Sequence, residues 1–443
     1  MATTALSVLD QRLGDSISDY LEVIVTTAIA ANNSIISTNL QSYDGGSDYF
    51  RVDGYVYITD KANAGVKRQI SAYATATGTL TVRGAALTTD GANLATIRVY
   101  RYDRDKYVNA INDTIRELYG RGYFWKDLDV IELVTGNILP NSHFRDWAVS
   151  TVPDKWVMQD ANITAVASTT AGTYRSGGKS MKATTGAGGA GKYVHIHSDN
   201  YPRLLDLMSK TVSLYCWALP EVADDAYIEI YTKQADGTAQ TLTSSTTNPA
   251  GEFTLLKLED QTLNDDLVEV DVRLKVATAS KYVYFDHARV IGEDVQEYLL
   301  PTDFVNGVVS NIEIQSSGYS DKACDDIHPK YWTPVYNYDI IPDGTDTYLG
   351  LGQSWGSSRL IRLTGKAPLS TVSAYTDTIE IDGAYLNTFI AYAKYKLFQA
   401  IESPVASQDI GRYESQSAKA YGEFMRLSNI KMVSHPVRMR IGT

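Results

Sequence analysis

The chain has 443 residues, 44% hydrophobic and 21% charged, which is too long for one hydrophobic core and too apolar for disorder. A formal net charge of -12 argues against broad adhesion to nucleic-acid phosphates, and two distant cysteines, Cys216 and Cys324, exclude a disulfide framework and a cysteine metal site. With no basic leader and no apolar run long enough to span a membrane, a soluble product folded in a reducing cytoplasm is expected, without membrane contact.

Leu6, Leu9 and Leu13, followed by Gly14, predict a short first helix. Tyr20 to Val25 is strand-like, and short alternating runs follow at Phe50–Ile58, Lys67–Tyr73, Thr79–Arg83 and Thr96–Tyr102, separated by turn signals such as Asp44-Gly45-Gly46 and Asp90-Gly91. This β module ends at Asp103, where Tyr107, Val108, Ile111, Ile115 and Leu118 set up a helix over Arg104–Tyr119, closed by Gly120 and Gly122. Asp127–Val134 reads as a strand, and the composition then changes at Gly136. From Asn137 to Gly292 the chain is rich in Thr, Ser, Ala and Gly, with seven or so short strands, the pattern of a β-sandwich. Further strands are expected at Asn306–Ile314, Val335–Ile341, Thr347–Leu351 and Arg359–Thr364.

After Asp382, a suitable N-cap, the residues Leu386, Phe389, Ile390, Ala393, Leu397 and Ile401 recur at helical spacing. Ser403-Pro404 stops that helix, and Tyr413, Ser417, Ala420, Tyr421, Phe424 and Leu427 share a face of a second, giving a helical hairpin. None of these helices can bury its stripe alone, so a small helical bundle with β insertions is expected, an α+β multidomain class with one insertion a β-sandwich jelly roll. The boundaries implied are 1–135 for helix, β module and helix, 136–295 for the sandwich, 296–428 for a β framework with the hairpin, and 429–443 for a tail. In that tail Val437, Met439 and Ile441 alternate with Arg438 and Arg440, after Lys431, so it reads as an extended arm with one apolar and one basic edge. Protein docking suits so few charges better than DNA binding.

Chemistry-bearing motifs are sparse. Gly186 to Lys192 stops short of a phosphate-cradling loop, since Tyr193 stands where Ser or Thr should be and a strand follows in place of a helix. His195 and His197 share a strand face without a recognisable third ligand, and the acidic pairs Asp224-Asp225, Asp265-Asp266 and Asp325-Asp326 sit in turn contexts. No nucleophile elbow is present. The chain is therefore read as a non-enzyme with no catalytic residue, no metal and no cofactor. Trp147, Trp156 and Trp217 are candidate sugar contacts if exposed, and core residues otherwise.

The order of parts resembles the head-to-tail adaptor proteins of tailed bacteriophages. The likeness rests on Leu6 to Gly14, on Asn109-Ala110-Ile111-Asn112 after a β insertion, on Glu297-Tyr298-Leu299-Leu300-Pro301, on Arg359–Thr364 with Pro368, on the Asp377–Asp382 lead-in and on the C-terminal arm. It implies a virion structural protein, assembled in the host bacterial cytoplasm as a dodecameric ring of its own copies. The arm, with Lys431, Val437, Arg438, Met439, Arg440 and Ile441, would dock on the portal protein, β elements would meet a tail nozzle or tail-tube protein, and DNA would pass the channel without specific binding. The segment Asn137-Ile138-Leu139-Pro140-Asn141 with Phe144, Trp147, Pro153 and Trp156, then Val212–Trp217 and Tyr282–Val290, resembles a galactose-binding-type jelly roll of the carbohydrate-binding-module kind. That family often holds a structural calcium, but Arg145 follows Phe144 and His287 follows Asp286, so the calcium is not carried over. The alternative function is accordingly a glycan-binding tail or surface protein, serving receptor binding or as an accessory to polysaccharide degradation.

Overall fold

The computed structural model describes residues 3–43, 54–175, 177–245, 247–292, 295–304, 307–316, 331–344, 346–381, 383–402 and 410–430. Asp382, Ser403-Pro404, Cys324, Asp325-Asp326, Asp44-Gly45-Gly46 and the arm residues Lys431, Val437, Arg438, Met439, Arg440 and Ile441 lie outside them. The chain forms two compact units, Met1–Lys126 with Pro368–Thr443, and Asp127–Ala367. The second unit holds the sandwich together with the sheets that flank it in sequence.

The first unit starts with strand β1 (Thr4–Ala5) and helix α1 (Leu6–Ile17). Leu6, Leu9 and Leu13 bury one stripe completely. Gly14 does not end this helix: it lies inside, because the chain folds back so closely that a Cβ there would sit 2.9 Å from the Asp19 carbonyl oxygen. The stop is Ser18, in the left-handed region at φ 57°. Strands β2 (Leu21–Ile24), β3 (Ser34–Ile36), β4 (Tyr55–Ile58), β5 (Lys67–Ala74), β6 (Thr79–Val82) and β7 (Thr96–Tyr100) form one antiparallel sheet in the order β2-β7-β4-β5-β6-β3. Its alternation puts Ile35, Val56, Ile70, Leu80 and Ile97 into a core of its own. Helix α2 (Arg104–Gly120) follows, capped by the Asp103 carboxylate, which accepts the Asp105 N–H at 3.0 Å.

The second unit opens with β8 (Lys126–Val134) and then makes the sandwich. Its strands are β9 (Val157–Met158), β10 (Ile163–Ser168), β11 (Ser180–Thr185), β12 (Lys192–His197), β13 (Thr211–Pro220), β14 (Ala226–Gln234), β15 (Ala239–Thr243), β16 (Thr254–Thr262), β17 (Leu267–Val276) and β18 (Tyr282–Ile291). They form two five-stranded antiparallel sheets, β10-β11-β18-β13-β16 and β15-β14-β17-β12-β9, whose inner faces share one core including Met181, Leu214, Ile228, Val272 and Phe285. Strands β10 and β15, absent from the sequence expectation, are edge strands: a strand covered on one side only needs few large apolar residues, and these are built from Thr and Ala. Strands β19 (Glu297–Leu299), β20 (Val308–Gln315), β21 (Trp332–Val335), β22 (Tyr338–Asp343), β23 (Asp346–Leu351) and β24 (Leu360–Ala367) complete the unit in sheets β21-β20-β24-β8 and β19-β23-β22. The expected single strand Val335–Ile341 is thus two strands in different sheets, parted by a turn at Tyr336-Asn337.

The chain then returns to the first unit through β25 (Thr378–Ile379), which pairs with β1, and helices α3 (Gly383–Glu402) and α4 (Ile410–Ile430). All four helices meet in one core, with Leu9, Ile111, Leu118, Phe389, Leu397 and Phe424. Phe424 stacks edge-on against Tyr392 and Tyr123, with ring centroids 4.7 and 5.2 Å away. This is not a free-standing bundle: Tyr57 and Tyr100 of the sheet and Leu369 and Ile379 of the returning chain belong to the same core. By extent the protein is mostly β.

Within the second unit the two ends of the sandwich lie side by side. The Gly136 N–H donates to the Tyr298 hydroxyl at 3.0 Å, and the Val290 N–H to the Asn137 side chain at 3.0 Å, so the module enters and leaves through one junction. A set of polar ties then fastens its first loop to the neighbouring sheets. Arg145 bonds Glu132 at 2.5 Å and lies 3.4 Å from Asp303, Thr302 donates to Asp146 at 2.7 Å, and Lys155 pairs with Asp346 at 2.7 Å. Burial raises the Glu132 carboxyl from 4.5 to about 7 despite the pull of Arg145. A carboxyl raised on folding contributes stability that is complete below its unfolded pKa, declines as pH climbs to the folded value, and is constant above it. Wild-type stability in urea should therefore lose up to about 3 kcal/mol between pH 4.5 and 7 that Glu132→Gln retains. Parallel profiles for the two proteins would sink this assignment.

Candidate functional site

The outer face of the sheet β15-β14-β17-β12-β9 gathers more chemistry than any tryptophan cluster in the chain. Strand periodicity explains it. In β12 Val194 and Ile196 face the core, in β14 Ile228 and Ile230, and in β17 Val270, Val272 and Leu274. The intervening residues, Tyr193, His195 and His197, Tyr227, Glu229 and Tyr231, and Glu269, Asp271, Arg273 and Lys275, must all share the opposite face. Register then sets His195 beside Arg273 and Glu229 in one row, and His197 beside Asp271 and Tyr231 in the next.

The centre of this face is the Arg273 guanidinium, with its carbon 4.2 Å from the Tyr231 ring centroid and 4.6 Å from that of Tyr193. Asp271, 1% exposed, is shared: one carboxylate oxygen accepts from Arg273 Nε at 2.7 Å and the other lies 2.7 Å from His195 Nδ1. Lys275 donates to Glu229 at 2.9 Å, and His197 Nε2 lies 3.1 Å from Glu269. Each buried carboxylate on the face therefore has a cation or donor beside it, which is what lets it stay buried. Burial also raises the Tyr193 hydroxyl, the Arg273 charge opposing it, so the phenol stays protonated and can donate. The product is a partly buried array of aromatic rings and charged groups linked by hydrogen bonds and cation–π contacts.

The three tryptophans have separate fates. Trp156 is a correction to the sugar-contact expectation: it is 2% exposed, tilted against Phe144 at 5.1 Å, inside the sandwich core. Trp147 packs on the edge of that core and donates its indole N–H to the Phe144 carbonyl at 2.6 Å. Trp217 lies on β13, in the other sheet, half-buried beneath the Arg175 guanidinium at 4.6 Å. His195 and His197 lie on the outer face, each paired with a carboxylate of β17. Gly186 to Lys192 joins β11 to β12 as a sandwich loop, with Lys192 paired to Asp160 at 2.6 Å. The Tyr231–Arg273–Tyr193 array was missed, although the run Val268 to Lys275 alternates apolar and charged residues strictly, a signal for a sheet face carrying charge.

The calcium position of the resembling family does not fit here. Asp286 is fully buried, and one carboxylate oxygen already accepts the Arg175 N–H at 2.7 Å. Near it stand the buried Arg289 and the rings of His143 and His287, set edge to face with centroids 3.8 Å apart. Burial holds His143 down to about 3 and His287 well below its ordinary value, so both are neutral, yet the guanidinium remains. Among the described residues no cluster of three or more potential metal ligands occurs.

No protein-family model and no curated protein matches the chain. Among solved structures the chain is similar to the enzymatically active domain of tailspike protein 4 of bacteriophage CBA120, at 9% identity and a TM-score of 0.28, covering 36% of this chain and 22% of that one. It is similar as well to a xylan-binding domain of carbohydrate-binding-module family 22, at 14% identity and a TM-score of 0.29, covering 36% and 97%. A third is the C-terminal family 22 carbohydrate-binding module of Clostridium thermocellum Xyn10B, at 16% identity and a TM-score of 0.29, covering 36% and 96%. The jelly-roll class of the sandwich rests on its own strand order. Among the described residues, no helix is long and apolar enough to cross a membrane.

These placements have an unequal cost for the tryptophans. Trp156→Ala is expected to lower stability by about 3–5 kcal/mol in urea denaturation, as truncation of a large core aromatic does, whereas Trp217→Ala should cost under about 2 kcal/mol. Equal costs would contradict the burial assigned to them.

Proposed function

We propose that the protein is a non-enzymatic virion component whose jelly-roll domain binds glycans through the outer face of β14, β17 and β12. The observation that carries this reading is the Tyr231–Arg273–Tyr193 array over the buried Asp271. A sugar ring offers an apolar C–H face and a rim of hydroxyls. Tyrosine rings suit the first, while guanidinium and carboxylate groups suit the second, and their preorganisation removes much of the entropic cost of binding. On a glycan array the full-length protein should bind a restricted set of oligosaccharides. Tyr231→Ala and Arg273→Ala should each weaken binding by about tenfold or more, with Trp217→Ala unchanged. An empty array, or binding indifferent to the first two changes, would overturn the reading.

A second reading, that of a ring-forming head-to-tail adaptor, is favoured by a different observation. Helices α1 and α2 from one end of the chain and α3 and α4 from the other share a core, and the β domains are inserted between them. In this reading the helices make subunit contacts in a ring, the arm from Lys431 to Ile441 docks on the portal protein as an added strand, and a tail nozzle or tail-tube protein binds below. DNA would pass through the channel. Negative-stain electron microscopy of the protein with portal should show rings, and deletion of 431–443 should abolish the joint particle. A strictly monomeric protein that never joins portal would refute it.

A further inference from the structure

The first unit holds a cavity of about 270 Å3 between the end of α1, the residues after β7, and helices α3 and α4. Its wall brings together four cations, Arg101, Lys394, Arg412 and Lys419, against two carboxyl groups, Asp19 and Glu423. In a chain of net charge -12 this local excess is unexpected. Asp19 offsets only part of it, through its attraction to Arg101. That carboxyl is buried, and its oxygens already accept the Tyr107 hydroxyl at 2.5 Å and the Arg101 and Tyr102 backbone N–H groups at 2.7 and 3.4 Å.

Lys394 has its ammonium oriented by the Ser16 carbonyl at 2.8 Å, which uses one of three donors. On α4, Arg412, Gln416 and Lys419 follow at helical spacing and face the same cavity. Among the described residues neither Arg412 nor Lys419 has a carboxylate within ion-pair distance, and the two stand seven residues apart, about two turns, along one face of α4. The Tyr102 and Tyr413 hydroxyls, 3.0 Å apart, add a donor to the wall.

We infer that this cavity binds a phosphate group, supplied either by a nucleic-acid backbone or by a free phosphate compound. Guanidinium forks match phosphate oxygens two at a time, ammonium and phenol donors complete the shell, and a bound anion offsets the excess of cations on the wall. The size suits a phosphate or diphosphate rather than a whole nucleotide. This inference stands independently of the glycan reading, which concerns the other unit.

The test uses the full-length protein at about 50 mM salt, where phosphate contacts are least screened. Calorimetry with inorganic pyrophosphate probes the free compound, and fluorescence anisotropy with a labelled DNA duplex probes the backbone. At least one probe should bind, with affinity falling as salt rises, and Arg412→Glu with Lys419→Glu should weaken it by about tenfold or more. Both positions are exposed, so circular dichroism should show the double variant folded. Lys257→Glu, an exposed reversal in the sandwich, should leave binding unchanged. Binding of pyrophosphate alone assigns the site to a small anion, and binding of duplex alone to a DNA strand. Absence of binding by both probes, or binding that survives the double reversal or falls equally with Lys257→Glu, overturns the inference.

Discussion

The first unit depends on one constraint: four amphipathic helices, each with an apolar stripe it cannot hide alone, must find a common core although more than half the chain separates two of them from the other two. Phe424 and Tyr392 from the C-terminal hairpin close on Tyr123 after α2, and Leu6, Leu9 and Leu13 of α1 join the same cluster. Charge follows the same route, since Glu117 of α2 receives both the Tyr392 hydroxyl and the Lys396 ammonium of α3. Everything from β8 to β24 can then be carried as an insertion.

The helices are joined to their sheet by polar groups taken out of water together. Arg98 reaches from β7 to Asp10 of α1 at 3.0 Å and to Glu22 of β2 at 2.5 Å, while Tyr100 donates to the same Asp10. Burial raises Asp10, and Tyr100 and Arg98 oppose that rise. Such a network is costly unless every partner is present, so it specifies one relation of helix to sheet within this unit. The sandwich uses the same device: on its outer face the buried Asp271 is sheltered by Arg273 and His195.

Some features were legible residue by residue. The stripes Tyr107–Ile111–Ile115–Leu118 and Leu386–Phe389–Ile390–Leu397 identified helices, because a helix needs a repeated local pattern and nothing distant to define it. The compositional break at Gly136 marked the sandwich. Less legible were Gly14, whose place inside α1 depends on the later approach of Asp19, and the edge strands β10 and β15, whose Thr-rich sequences carry little apolar signal. The tryptophans left two readings open, because a lone indole reads alike in a core and on a surface, and only the fold around Trp156 distinguishes the two.

By itself, then, the sequence determined which segments are amphipathic, where the β-rich insertion begins, and the absence of a familiar catalytic motif, since those are properties of near neighbours along the chain. Tertiary structure alone decided which faces met. Asp271 lies about seventy-six positions from His195, and Tyr231 forty-two from Arg273, yet strand register makes them one array. Arg101, Lys394 and Lys419 likewise gather around one cavity only after the helices have closed their core. Contacts of such long range carry no local signature, because they are set by the pairing of strands and the packing of stripes.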